Sequence, residues 1–465
     1  MQNRIPQFLC IAALNVSLLS GQERPVERPT GPLTIQAAVD LAARNYPAIR
    51  ASLAKVGAAE SGIDLAKTAY LPQVGLRLGV NRATRNNVFG LIFPNGVIPA
   101  ISGPVQDEST ITSTFGSSAG VLFSYEPFDF GLRQANVRVA EALKTRAEAG
   151  REVTEYEVSL AAADAYLQAI ATQRAVGAAE ATVDRMRVFE ESVGVLVENE
   201  LRPGADSSRA RAELARARSE LILAEQQAQQ SLATLAEWLG LAGETVAVNP
   251  ASLASEPPTT APEPVSLEAH PLTAAQQAEI GITEARRAAL EKEWRPTFQV
   301  QSAVFGRGTG ARIDGTFKGG GNGLAPSEGN WAVGFNMDFE LFDFKSNRVK
   351  RQIESHNLER EQARKDVVLQ ELRGEVARTR IAVDAARKIA GNTPIELDAA
   401  RTLEAQAQAR YKAELGTVVE VAEAQRLLRQ AEVDDALARI GVWRALIALA
   451  AAQGEMNEML TAASR

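Results

Sequence analysis

Two stretches of the chain alternate apolar and polar residues and then give way to long charged, alanine-rich runs. They are Val121–Phe130, VLFSYEPFDF, and Val333–Phe344, VGFNMDFELFDF. Alternation puts successive side chains on opposite faces of a strand, whereas the runs that follow carry apolar residues at helical spacing. A strand feeding a long helix is therefore predicted twice. An offset of 214 carries Phe128 to Phe342, Glu200 to Glu414 and Gly240 to Gly454. Upstream the offset is 224, carrying Pro47 to Pro271, Tyr70 to Trp294 and Pro72 to Pro296. The chain is thus an internal repeat, and the ten-residue difference places an insertion between Pro72 and Phe128, in an exposed connection.

Along the chain the pattern predicts these segments: a signal peptide, 1–21; an extended leader, 22–32; a first repeat, 33–240; a proline-rich linker, 241–270; a second repeat, 271–454; and a tail, 455–465, without a usable signal. The first repeat holds a helix, a β-hairpin over 72–130 and a helical hairpin over 133–240. The second holds a helix, a β-hairpin over 296–344 and a helical hairpin over 345–454. In the first strand Val74, Leu76, Leu78 and Val80 share a face opposite Gly75, Arg77, Gly79 and Asn81. The connections Thr84–Gly116, which contains NVFGLIFPNGVIPAISGP, and Gly306–Asn330, with Gly306-Arg307-Gly308 and Gly319-Gly320-Gly321, read as loops. Neither glycine cluster is followed by the Lys-Ser/Thr and helix of a phosphate loop. Arg133 to Asn199 lacks proline and would reach roughly 100 Å as one helix. Leu201-Arg202-Pro203-Gly204 turns it, Asp206-Ser207-Ser208 opens the return helix, and Asn392-Thr393-Pro394 marks a kink in the second long helix.

Composition narrows the class. Aromatic residues make up 5% of the 465-residue chain, which favours long helices over a compact catalytic core. The net charge of −7 argues against nucleic acid as a partner. Cys10 lies in the apolar run Ile5–Leu19 behind Arg4, a run that reads as a secretory signal in which Cys10 is apolar filler. His270 and His356, far apart, read as surface residues rather than ligands, and no cofactor is expected. No nucleophile–base pair, metal cluster or phosphate loop stands out, so an enzyme is not expected.

No later run is long and apolar enough for a spanning helix, so a membrane passage would have to be made of strands. A soluble sheet would alternate equally well. What favours lipid is a set of aromatics at one end of the hairpins: Tyr70, Phe128 and Phe130 in one half, Trp294, Phe342 and Phe344 in the other. An open sheet edge in hydrocarbon costs roughly several kcal/mol per unpaired backbone group, so four strands must be pooled with those of other chains. Three chains and twelve strands are the economical solution.

LTIQAAVDLAARNYPAIRA, AKTAYLPQVGL, FDFGLRQANV, ELRPGADSSRARAEL and YKAELGTVVEVAEAQ, in that order, resemble the TolC-like outer-membrane efflux proteins from Leu33 to Gly454. The resemblance implies a mainly α fold with a membrane β-barrel portion: a homotrimer with four strands and two long antiparallel helical hairpins per chain, twelve strands closing the barrel and the helices continuing it into the periplasm. It also implies an exit duct for an inner-membrane pump, joined through a periplasmic adaptor, in tripartite efflux or type I secretion. The family's acidic constriction maps onto Glu420 and Glu423, where the best-known member has Asp, with Asp206 in the equivalent place of the first half. Adaptor contact would fall at the hairpin tips: Glu200, Leu201, Arg202, Pro203 and Gly204, and Glu414, Leu415, Gly416 and Thr417. The rival reading from a different class is a secreted, soluble coiled-coil scaffold or binding protein with a small β head.

Overall fold

The computed structural model describes residues 26–84, 111–249, 266–310, 319–339 and 342–464, together with Leu253, Pro257, Pro258 and Thr316. The signal segment with Cys10, the apolar run 87–104 of the first connection and most prolines of the linker lie outside the described residues.

Thr34 opens helix α1 (Ile35–Asn45) by accepting from the Ala37 N–H, and Pro47 stands at the first position of α2 (Pro47–Lys67), where a missing N–H costs nothing. Strands β1 (Gln73–Thr84) and β2 (Ser113–Phe128) lead into α3 (Leu132–Glu198), which returns as α4 (Gly204–Trp238). The second half repeats the order: α5 (Pro271–Glu293), β3 (Thr297–Thr309), β4 (Glu328–Asp338), α6 (Asp343–Lys412) and α7 (Val418–Ala452). The 67 residues of α3 and 70 of α6 correspond to about 100 and 105 Å.

The four strands form one antiparallel sheet in the order β1-β2-β3-β4, with β1 and β4 as edges unpaired among the described residues. Register puts Leu76 opposite Val121, Val121 opposite Val304 and Val304 opposite Trp331, so the apolar positions of all four strands share one face. The helices form a matching layer. Near the turns α4 packs on α3, α3 on α7 and α7 on α6, while nearer the sheet α2 and α5 flank α3 and α6 packs on α5. This wall, like the sheet, has two free sides.

Its main apolar cluster lies midway, where Tyr166, Leu167 and Ile170 of α3 meet Trp443, Leu446 and Leu449 of α7, Ile35 and Leu41 of α1, and Leu460. A second cluster joins all four helices near the turns: Phe189 and Val193, Leu214, Tyr411, and Val418 and Val421. The leader is held as well: the Glu27 N–H donates to Asn45 Oδ1 at 3.1 Å and Arg28 pairs with Glu244 at 2.9 Å, and next to it Leu33 exchanges backbone hydrogen bonds with Ala247 and Asn249 at 2.8 and 2.9 Å.

Several sequence expectations change. His270 is 1% exposed, not a surface residue: its Nδ1 accepts from the Leu272 N–H at 3.2 Å, Nε2 faces the Ala451 carbonyl at 3.3 Å, and Tyr156 packs edge-on at 5.0 Å. Burial lowers its pKa. His356, by contrast, is exposed beside Glu359. Gly306-Arg307-Gly308 belongs to β3 rather than to a loop, because Ala119, Ser118 and Ser117 of β2 pair with it, and residues 113–116 are strand rather than connection. Gly308 must be glycine here, since a Cβ would lie 2.1 Å from the Ala325 carbonyl oxygen. Helix α4 begins at Gly204, ahead of Asp206. Helix α6 contains Pro394 in its interior, as the sequence places it, and the tail forms α8 (Asn457–Ala463), packed on α1 with Ser464 Oγ accepting the Gln36 N–H at 3.1 Å.

Candidate functional site

The sheet presents its apolar face outward. Val74, Leu76, Leu78 and Val80 are 61–73% exposed, and Trp331, Val333, Phe335 and Met337 57–78%. From Trp331 to Phe339 the apolar positions span about 26 Å, close to the ~25 Å hydrophobic band of outer-membrane barrels. The opposite face carries Arg77, Ser124, Gln299, Gln301 and Asn336 among glycines, the pattern of a water-filled interior. No described helix is long and apolar enough to cross a membrane.

Below the band Tyr70, Phe128, Trp294, Phe342 and Phe344 are exposed, while Phe130 is partly covered between Phe128 at 4.6 Å and Phe298 at 6.1 Å. Each long helix is clamped at its root to the helical segment before the strands. Arg133 donates to the carbonyls of Ala69 and Glu126 and to Asp129, and sits over the Tyr70 ring. Asn347, at the 214 offset, donates to the Leu290 carbonyl at 2.8 Å. Despite the cost of partial burial, hydrogen bonds from the Arg133 and Gly131 N–H groups and the Arg133 charge hold the Asp129 carboxyl below its ordinary range.

At the far end the two turns are built alike. Glu200 and Glu414 both have φ of 62°. The Leu201 N–H reaches Leu196 O and the Leu415 N–H reaches Arg410 O, each at 2.9 Å, closing helix ends of the Schellman type. Leu201 and Leu415 are left 55% and 72% exposed.

The sequence-predicted site residues divide into two groups here. Asp206 accepts the Tyr411 hydroxyl at 3.2 Å, and Arg202 donates to the Tyr411 carbonyl at 2.6 Å with its guanidinium 4.4 Å from the Tyr411 ring. With Phe189 edge-on at 5.5 Å, these contacts pin the second hairpin to the first. Burial first, then the Asp206 charge, push the Tyr411 hydroxyl up to about 12. Glu420 and Glu423 stand apart from this pin. Thr417 Oγ1 accepts the Glu420 N–H at 3.3 Å, capping α7, and Arg426 pairs with Glu423 at 2.6 Å and holds its pKa down. Both carboxylates are exposed.

Two groups escaped the sequence reading. Tyr411 could have been noticed as an aromatic in a polar run one turn before Glu414, where the first repeat has Val197. The other is a polar cluster: Arg185 of α3 binds Glu432 at 2.8 Å and Gln425 at 3.1 Å on α7, and Gln425 donates to Glu404 of α6. Desolvation raises the pKa of Glu404. Its members lie on three helices, a juxtaposition with no linear signature.

Comparison with known structures follows the same architecture. The outer membrane channel CmeC of Campylobacter jejuni superposes with TM-score 0.71 at 14% identity, over 100% of this chain and 98% of that one. The outer membrane protein VceC of Vibrio cholerae gives 0.68 at 17%, over 91% and 97%. The open state of the MtrE outer membrane channel of Neisseria gonorrhoeae gives 0.68 at 16%, over 91% and 89%. No curated protein sequence is similar enough to count as a match. These likenesses establish the fold. The family model for outer membrane efflux proteins matches residues 38–241 and 266–455, most of the chain. The chain therefore belongs to the outer membrane efflux protein family, as an efflux channel of the outer membrane with a helical extension into the periplasm.

Proposed function

We propose that three copies assemble around one axis, each contributing four strands to a twelve-stranded barrel and two helical hairpins to a tube beneath it. The observation that carries this reading is the pair of edges, β1 and β4, on a sheet whose outward face is mostly apolar. A sheet in lipid must close, and this one has too few strands to close on itself. The helical wall, free at α4 and at α6, closes by the same operation.

In the assembled state the molecule is a passive exit duct. Cargo enters at the hairpin tips from an inner-membrane pump, whose periplasmic adaptor seats on Glu200–Gly204 and Glu414–Thr417, in tripartite efflux or type I secretion. Glu420 and Glu423, with Asp206 in the equivalent place of the first hairpin, line the constriction and favour cations, since a ring of carboxylates repels anions. The pin of Tyr411 to Asp206 and Arg202 holds the tip closed; releasing it lets the second hairpin move outward.

The test is the detergent-solubilised mature protein. A mass of three subunits and discrete conductance in a planar bilayer are expected. Glu420→Gln with Glu423→Gln should reduce cation preference roughly threefold or more, as removal of a fixed charge ring does. A water-soluble monomer would end the reading, and unchanged selectivity would remove the two carboxylates from the constriction.

A further inference from the structure

Pro394 lies inside α6, where it can give no N–H to the Ala390 carbonyl and its ring crowds that oxygen. Three independent features meet at the same level. The apolar packing between α6 and α7 stops there: the main cluster ends at Ala390, and a small separate one of Leu397, Ala400, Leu428 and Ala431 resumes beyond it. Between them is an open groove of about 580 Å³ lined by Ile389 and Thr393 of α6 and by Leu437, Ala438 and Gly441 of α7, one residue from the exposed Pro394. The polar tie across this level joins Thr393 Oγ1 to Asp435 Oδ1 at 3.2 Å. Helix α3 has Glu180 at the 214 offset, with Ala179 and Thr182 buried on either side.

From these we infer that α6 is hinged at Pro394, so that the segment from Ile395 to Lys412, with the turn and the start of α7, swings as one arm against a fixed upper helix. The weak point in the backbone ladder, the gap beside it and the break in side-chain packing all permit bending at that level, and Thr393 with Asp435 braces the arrangement observed. The arm carries Tyr411, so cutting the tip pin frees it. The inference rests on the conduit reading for its purpose. Its geometry does not depend on conduction.

The experiment places spin labels at Asp384→Cys and Gln406→Cys on either side of the proline, in assemblies where labelled subunits are the minority. In a straight helix the 22-residue separation is about 33 Å. The protein with Tyr411→Phe and Asp206→Asn should show a second, shorter distance alongside the straight one and a raised conductance. Adding Pro394→Ala, which restores the N–H with a good helix former, should shrink the short population and the conductance by roughly tenfold. Thr393→Val, which keeps the proline and removes the brace, should enlarge the short population roughly fivefold. A short population that persists with alanine at 394, or that never forms, overturns the hinge. If bending depends on residue 394 while conductance does not follow it, the hinge stands and the gating role of the tip falls.

Discussion

The two helical hairpins share a plan and occupy opposite positions in the wall. In the first, the long helix is central: α3 buries nineteen of its 67 residues while the 35-residue α4 buries eight at one flank. In the second, the short helix is central: α7 buries seventeen of 35 residues, whereas α6 buries ten of 70. Duplication therefore copied the turns and lengths but not the surroundings. The flank helix α6 keeps Ile353, Val367, Ile381 and Ile395 more than half exposed, and α4 keeps Ile222 and Leu223 so. The centre holds the wall together, and the flanks leave apolar side chains exposed.

That contrast can be broken most severely at the tip. Tyr411→Ala deletes a side chain 2% exposed and strands Asp206 and Arg202, and should destabilise the tip by about 3–5 kcal/mol. Val197→Ala, its counterpart in the first hairpin, should cost less than about 1.5 kcal/mol. Amide exchange around the two turns measures both, and equal losses would mean that the pin is no stronger than ordinary packing.

A pH scan sharpens the same point. The Tyr411 hydroxyl titrates higher in the folded chain than the ordinary value of 10.0, so the unfolded chain loses its proton first as pH rises. Its contribution is complete below about pH 10 and lost as pH rises through about 12, amounting to about 2–3 kcal/mol. Tip amides should lose that much protection on that rise, and Tyr411→Phe should abolish this component.

The roots come next. Arg133→Ala leaves Asp129 partly buried without its cation and should cost about 2–3 kcal/mol, against about 1 kcal/mol for Asn347→Ala. Thermal dissociation of the assembly would rank them, and a reversed order would refute the root comparison. The smallest effect should be the same in both hairpins. Glu200→Gly and Glu414→Gly each relieve a left-handed residue and should stabilise their turn by up to about 1 kcal/mol. Unequal gains would show that one turn is held by more than its backbone.

Much of this was legible before the structure. Alternation at Val74–Val80 put these four side chains on one face correctly because a strand has only two faces, and Gly240 and Gly454 end helices where their offset predicts, each with positive φ. Helical period could not tell flank from centre, since an alanine-rich stripe looks alike in α3 and α6. Glycine misled at Gly306 and Gly308, where its small size serves close packing of the segment containing Ala325 and Pro326 against β3 rather than a loop. Tyr411, Asp206 and Arg202 meet only in three dimensions, so the aromatic went unremarked while its acidic partner was picked out for another reason. His270 was misplaced because an isolated histidine, far from any other, reads as a surface residue, although its ring closes the junction of α5 with α7.

The bare edges of the sheet have a genetic consequence. If three subunits share every barrel, a copy that can offer its β1 edge but whose β4 cannot pair will enter mixed assemblies and spoil them. With equal expression of intact and damaged copies, only about one assembly in eight would be wholly intact. Lesions in β4 should thus behave as dominant poisons, whereas loss of the whole chain would be recessive.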